Sequence, residues 1–301
     1  MRINFTPIDY DYFDWQGRNY AKIIGRNSDG KRVCVIDFCP VYLWAILKEN
    51  LKENKIKKLI GKISKIKIDS KGRKTKVEKV EIHDKNFLGK KVKALKIFAT
   101  NYKDLHEIAE HLDFEEIEKR RGYDVGFITH YIIEKKINPL CWYEIDGELL
   151  NNSLEFGGID MNLDVDFCIK LNKSKEIEDR NFKSKVLAYD IEVDEIKLGA
   201  GEILMISLVG ENFKKVLTWE KSLNPPKFVE FVKDEAELLE KFVENVRKFS
   251  PDFLVGYFSD GFDLPYIKSR AEKLKVNLSL GLDNSQPKFT RGINLTAKID
   301  G

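Results

Sequence analysis

The stretch Ala188-Tyr189-Asp190-Ile191-Glu192 sets two carboxylates two residues apart inside an otherwise apolar, strand-like run. In a β-strand, residues two apart share a face, so Asp190 and Glu192 stand side by side. Burying an unpaired carboxylate is costly and two together repel, and a divalent cation relieves both penalties. A polar strand face open to water would also account for the pair. A second stretch, Asp260-Gly261-Phe262-Asp263-Leu264-Pro265-Tyr266, follows the apolar run 253–258, where strand should give way to helix. Ligands of α/β folds gather at the carboxyl ends of strands. Asp263 is also placed to cap the helix, and a carboxylate that caps with one oxygen keeps another for a metal. Asp190, Glu192 and Asp263 together make an oxygen-only donor set suited to magnesium or manganese. Two such ions suit phosphodiester cleavage, one activating water and the other stabilising the leaving oxygen.

Around these acids the sequence predicts a strand over 186–193, a continuous apolar strand over 203–209 and a third over 215–219. Leu238, Leu239, Phe242, Val243 and Val246 recur at helical spacing, with Asp234 as N-cap and Pro251 beyond the end. A buried strand over 253–258 and a helix over 263–274 complete a mixed sheet covered by helices. The first hundred residues read as strands joined by turns. Runs at 20–24 and 33–38 flank Asn27-Ser28-Asp29-Gly30, and alternating runs at 63–68 and 76–82 flank Asp69-Ser70-Lys71-Gly72 as a hairpin. Helices are predicted over 103–112 and 127–134. The polar stretch 146–184, with Gly157-Gly158, reads as an irregular connection. The expected division is a domain at 1–145, a connecting segment at 146–184 and a domain at 185–301.

A chain of 301 residues allows about two domains. Lysine and arginine total 52 against 49 acids, a net charge of +3 that by itself identifies no nucleic-acid binder. The distribution says more: from Lys52 to Lys96 lysines recur every two or three residues, either as a solvated face or as a footprint for phosphates. Cys34, Cys39, Cys141 and Cys168 form no CxxC pair and have no histidine at zinc-ligand spacing. Met1-Arg2-Ile3-Asn4-Phe5 has no signal-peptide pattern, and no apolar run approaches the roughly 20 residues of a membrane span. A soluble, cytoplasmic protein without a membrane partner is expected.

The segment Asp190-Ile191-Glu192, after its apolar lead, resembles the first exonuclease motif of family B DNA polymerases. The run Tyr257-Phe258-Ser259-Asp260-Gly261-Phe262-Asp263 resembles the second, Tyr-Asn-x-Asp-x-Phe-Asp. The run 267–274, Ser285-Gln286-Pro287-Lys288, Val41-Tyr42-Leu43-Trp44-Ala45-Ile46-Leu47, Phe87-Leu88-Gly89-Lys90 and Tyr123-Asp124-Val125-Gly126-Phe127 resemble the archaeal members, over nearly the whole chain. The resemblance implies a mixed α/β fold. A β-rich N-terminal domain would precede a ribonuclease-H-like 3′→5′ exonuclease domain, which removes mispaired nucleotides with two ions of Mg2+ or Mn2+. Asp190, Glu192 and Asp263 would be the metal-binding, catalytic acids. Phe258, Asp260, Phe262 and Tyr266 would face the DNA substrate, a single-stranded 3′ end or primer–template. In archaeal relatives the N-terminal domain senses deaminated template bases; here Tyr42, Leu105, Val125 and Phe127 fall near that pocket, with His130 where an arginine is common. The alternative for these residues is a plain core role.

Two departures matter. Phe258 stands where the family has Asn; its ring cannot make the amide's hydrogen bonds but can stack on a base. The third exonuclease motif, Tyr-x-x-x-Asp, and the polymerase domain lie beyond Gly301 in relatives. A partner is therefore expected: a C-terminal polymerase polypeptide or the remainder of the chain. Two further readings stay open. One is a stand-alone metal-dependent exonuclease drawing a fourth acid from Asp260 or Asp283. The other is a non-catalytic DNA-binding subunit of a split polymerase.

Overall fold

Apolar residues alternate along much of residues 2–47, and this stretch folds as four strands. The structure, a computed structural model, describes residues 1–152, 154–178, 182–291 and 295–299. The chain forms two units, one of Met1–Met161 with Val165–Arg180 and one of Asn162–Asp164 with Asn181–Gly301.

In chain order the first part comprises β1 (Arg2–Trp15), β2 (Arg18–Asn27), β3 (Arg32–Phe38), β4 (Val41–Leu47), α1 (Glu53–Ile63), β5 (Lys67–Ser70), β6 (Arg73–Phe87) and β7 (Lys90–Ala99). It continues through α2 (Leu105–Glu110), β8 (Ile117–Arg121), α3 (Phe127–Lys135), β9 (Tyr143–Leu150), α4 (Ile159–Asn162) and β10 (Phe167–Glu176). Strands β1-β2-β3-β10-β9 close a barrel, and β5-β6-β7-β4-β8 form a five-stranded sheet. One core runs through both, from Phe5, Ile23 and Val35 to Leu43, Leu95, Ile97, Phe127 and Tyr131.

Three expectations are corrected. Residues 53–63 are helical, not part of an all-strand region, because Ile56, Leu59 and Ile63 recur at helical spacing and bury one face of α1. The predicted 69–72 turn does join β5 to β6, but the first arm of the hairpin starts only at Lys67. Nor is 146–184 an irregular connection throughout, since it supplies the end of β9 and all of β10. Its apolar Phe167-Cys168-Ile169 pairs with Val33-Cys34-Val35 in parallel, while the charged remainder of β10 pairs with β9 and stays exposed. Gly147 permits this closure, because a Cβ there would strike the Lys170 carbonyl and the Ile169 side chain.

The second unit holds β11 (Val186–Val193), β12 (Ile203–Gly210), β13 (Phe213–Thr218), β14 (Val229–Phe231), α5 (Glu235–Phe249), β15 (Phe253–Val255), α6 (Asp263–Leu274), β16 (Lys288–Arg291) and β17 (Leu295–Lys298). The main sheet has the order β14-β13-β12-β11-β15, with β11 antiparallel to β12 and parallel to β15. The mixed sheet is as expected, but β15 ends at Val255, short of the predicted 258. Helix α5 begins as predicted, Asp234 accepting the Glu237 N–H at 3.0 Å. Its buried stripe, Leu238, Leu239, Phe242, Val243 and Val246, joins Leu187, Tyr189, Ile191 and Ile206 in the core. Among the described residues no helix is long and apolar enough to cross a membrane.

A buried ion pair ties this core together. Arg270 of α6 grips both carboxylate oxygens of Glu235 on α5, with its Nε 2.7 Å from Oε1. The same Oε1 accepts the Ile203 N–H at 2.8 Å, linking both helices to β12. Removing one member strands the other charge, so Arg270→Ala is expected to cost about 3–5 kcal/mol in urea unfolding. The apolar double replacement Glu235→Leu with Arg270→Leu should cost less than Arg270→Ala.

Candidate functional site

Strand β11 has two faces. Leu187, Tyr189 and Ile191 are buried, whereas Asp190 and Glu192 are exposed on the other side. Pairing with β12 sets Asp190 opposite Ser207 and Glu192 opposite Met205, and the register shifts directly after Glu192. The predicted two-carboxylate face therefore exists as a strand face.

Asp263 reaches the same place from another element. After β15 the chain turns through 256–262: the Phe258 carbonyl accepts the N–H groups of Gly261 and Phe262, each at 3.0 Å, and the Ser259 carbonyl accepts that of Leu264 at 2.9 Å. Asp263 is the first residue of α6, buried at 4% exposure. Helix α6 has no side-chain cap at Phe262, and the nearby backbone of Asp263 and of Ile191 on β11 partly offsets the cost of the Asp263 charge. Burial raises its pKa above the ordinary carboxylate value, and the neighbouring Asp190 charge adds to the rise. Tyr189, beneath them in the core, has its pKa raised by burial; its hydroxyl meets Ser259 and feels Asp263 and Asp260.

The arrangement tests the expected donor set. Asp190 and Asp263 are within electrostatic reach of each other, and Glu192 shares the strand face of Asp190. All three offer only oxygen, the donor a hard divalent cation takes, and a cation relieves the like-charge cost that Asp263 carries. The fit is one of donor chemistry: among the described residues no three His, Cys, Asp or Glu side chains are grouped to hold a metal ion. Asp260 is exposed beside the turn. Asp283 turns its carboxylate to the Ser285 N–H at 2.9 Å.

The aromatic residues of the second stretch divide. Phe258 is 72% exposed and Tyr257 is 95% exposed, so both rings are available to a ligand. Phe258 has φ +54°, the left-handed region that Asn tolerates better than other non-glycine residues. Its ring lies over Gly261, where any Cβ would collide with it. Phe262 is half-buried, packed on Tyr266 with ring centroids 5.6 Å apart. Tyr266, expected to face substrate, is fully buried. Its hydroxyl donates to the Glu195 carbonyl at 2.8 Å and accepts the Gly201 N–H at 3.2 Å, clamping the loop after β11. Only the fold could reveal that role, since a tyrosine in a helix's first turn fits either place.

In the first unit, the residues expected near a base pocket pack against protein. Tyr42 lies 4.4 Å from the His130 ring, and its hydroxyl donates to Glu134 at 2.9 Å. The His130 Nε2 is 3.0 Å from the Pro40 carbonyl, and burial lowers its pKa. Phe127 meets Tyr12 at 4.8 Å and shares a core with Leu105, while Val125 is half-buried ahead of α3.

Comparison with known proteins follows the same lines. Residues 118–297 match the family described as DNA polymerase family B, exonuclease domain. The chain is 30% identical over 300 residues to "DNA polymerase 1" of Pyrococcus abyssi, covering 98% of this chain and 33% of that protein. It is 29% identical over 302 residues to the "DNA polymerase" of Thermococcus kodakarensis, covering 98% of this chain and 15% of that one. The chain thus spans a third or less of the length of these two relatives. The family B DNA polymerase structure from Pyrobaculum calidifontis shares its fold, with a TM-score of 0.74 at 22% identity over 96% of this chain and 35% of the other.

Two outcomes are expected. Because the Asp263 pKa is raised on folding, the contribution of this one group to stability is fully present below its unfolded pKa, about 4, and is lost as pH rises through the folded value. In EDTA, Asp263→Asn should therefore unfold at higher urea than the wild type at pH 7, with the gap closing below about pH 4. Phe258→Asn should stabilise the chain by about 1 kcal/mol, because it relieves the left-handed backbone while giving up little burial. Urea titration measures both.

Proposed function

The chain belongs to the family B DNA polymerases, and on that premise we propose that its second unit is a 3′→5′ exonuclease that trims DNA at the 3′ end. The observation that carries this reading is the buried Asp263 carboxylate within electrostatic reach of Asp190, at the junction of two stretches that resemble the family's motifs. Asp190, Glu192 and Asp263 would hold Mg2+ or Mn2+. Bound there, such ions lower the pKa of a water and stabilise the leaving oxygen of the cleaved phosphodiester. The backbone of Ile191 and Asp263 favours the charged form of the Asp263 carboxylate. Tyr266 holds the loop after β11 in place, and Phe258 and Tyr257 offer rings to the terminal bases. Asp260, exposed within the turn, would face the strand being trimmed. The wider reading is the proofreading portion of a replicative polymerase, acting on primer–template DNA beside the polymerase part.

A second reading, DNA binding without hydrolysis, is favoured by one observation: no three acids converge among the described residues. Digestion of 5′-labelled single-stranded DNA in Mg2+ separates the two. The exonuclease reading expects stepwise 3′ shortening by the wild type, lost in Asp190→Ala and Asp263→Asn. Retained DNA binding with no shortening by the wild type would overturn it.

A further inference from the structure

Strand β10 joins β3 in parallel through four register pairs: Phe167 with Val33, Cys168 with Cys34, Ile169 with Val35 and Lys170 with Ile36. The other seams of the barrel are antiparallel. A parallel ladder is slightly weaker per residue, and this one is short. It also joins parts of the chain more than 130 residues apart, so no local turn holds the two strands together.

The second pair of that seam is a pair of thiols. Val33, Val35 and Ile169 belong to the core, so alternation turns Cys34 and Cys168 to the other face of the barrel wall. There they stand in a row with Ile24 of β2, opposite Cys34, and Leu150 of β9, opposite Cys168. All four are buried, Cys34 completely and Cys168 at 4% exposure. The Cys34 thiol is held well above the usual thiol range, first by its hydrogen bond with Cys168 and then by burial. The other cysteines are placed differently. Cys39 donates its thiol to the Pro40 carbonyl at 3.7 Å, and Cys141 lies near Tyr10 and Tyr143.

Neighbouring strands lie about 4.8 Å apart, within the span of about 4.4–6.8 Å between Cα atoms that a disulfide bridges. We propose that Cys34 and Cys168 are a disulfide site, a covalent staple across the parallel seam of the barrel. Forming the bond takes one proton and one electron from each thiol and makes one S–S bond. The oxidant is a small-molecule disulfide, whose own S–S bond breaks to give two thiols, so protons and electrons balance. The attacking form is the thiolate. Cys34 keeps its proton in the closed barrel, which is therefore slow to react. The bond forms when β10 lifts from β3, or before β10 first docks, and thereafter holds the two strands together. The staple lies wholly in the first unit and does not depend on the exonuclease reading.

The test incubates the folded full chain with mixed reduced and oxidised glutathione until the products stop changing. Acid quenches exchange, and N-ethylmaleimide in urea then labels the remaining thiols. Mass spectrometry of chymotryptic peptides, which part Cys34 from Cys39 at Phe38, maps the bond without any substitution. The expected product joins the Cys34 and Cys168 peptides and leaves Cys39 and Cys141 labelled. Its thermal midpoint should lie about 10 °C above that of the reduced chain, because the bond closes a long loop. Cys168→Ala should abolish that rise, and Cys39→Ala should keep it. The proposal is overturned if every cysteine of the oxidised chain still takes the label. It is equally overturned if Cys34 pairs with Cys39, Cys141 or glutathione instead, or if the crosslinked chain melts below the reduced one.

Discussion

Strand β11 couples the packing of the second unit to its chemistry. Its period of two residues puts Leu187, Tyr189 and Ile191 into the core and thereby forces Asp190 and Glu192 outward together. A slip of one residue would bury two carboxylates and expose three hydrophobic side chains, so the core fixes the register of the acids. The hydrophobic cluster around Phe242 and Leu239 is, in this sense, what aims the carboxylates.

The unit also manages charge that its core cannot dissolve. Glu235 and Arg270 neutralise each other, and Glu235 also accepts a backbone N–H from β12. Among the described residues no such cation pairs with Asp263; the nearby backbone offsets part of the cost, and burial raises its pKa. One buried acid is thus satisfied and structural, while the other retains an unmet demand for positive charge. That difference separates a scaffold residue from a candidate ligand more sharply than burial alone.

Much of this was legible in the sequence. The family, the mixed sheet, the α5 stripe with its Asp234 cap, and the β11 acids were all readable, because each rests on local periodicity or on a spaced motif. Helix α1 was hidden because its apolar residues are interleaved with as many lysines within a strand-rich region. Strand β10 was hidden because four of its ten residues are charged and one of its two partner strands, β3, lies more than 130 residues away. The inward turn of Tyr266 and the Glu235–Arg270 pair depend on contacts between elements, which no single stretch of sequence encodes. Whether the acids and aromatics of the site act on DNA is a matter of chemistry that their positions make specific.

The barrel of the first unit closes only when β10 lies beside β3 and β9 beside β1. During synthesis, at about 5–20 residues per second, the early strands therefore wait many seconds for their last neighbours. Through that interval β1 and β3 each present a row of unpaired N–H and C=O groups. The ribosome, by holding the nascent chain apart from other copies, is the first guardian of this barrel, and crowding of half-made chains is the circumstance in which it is most exposed.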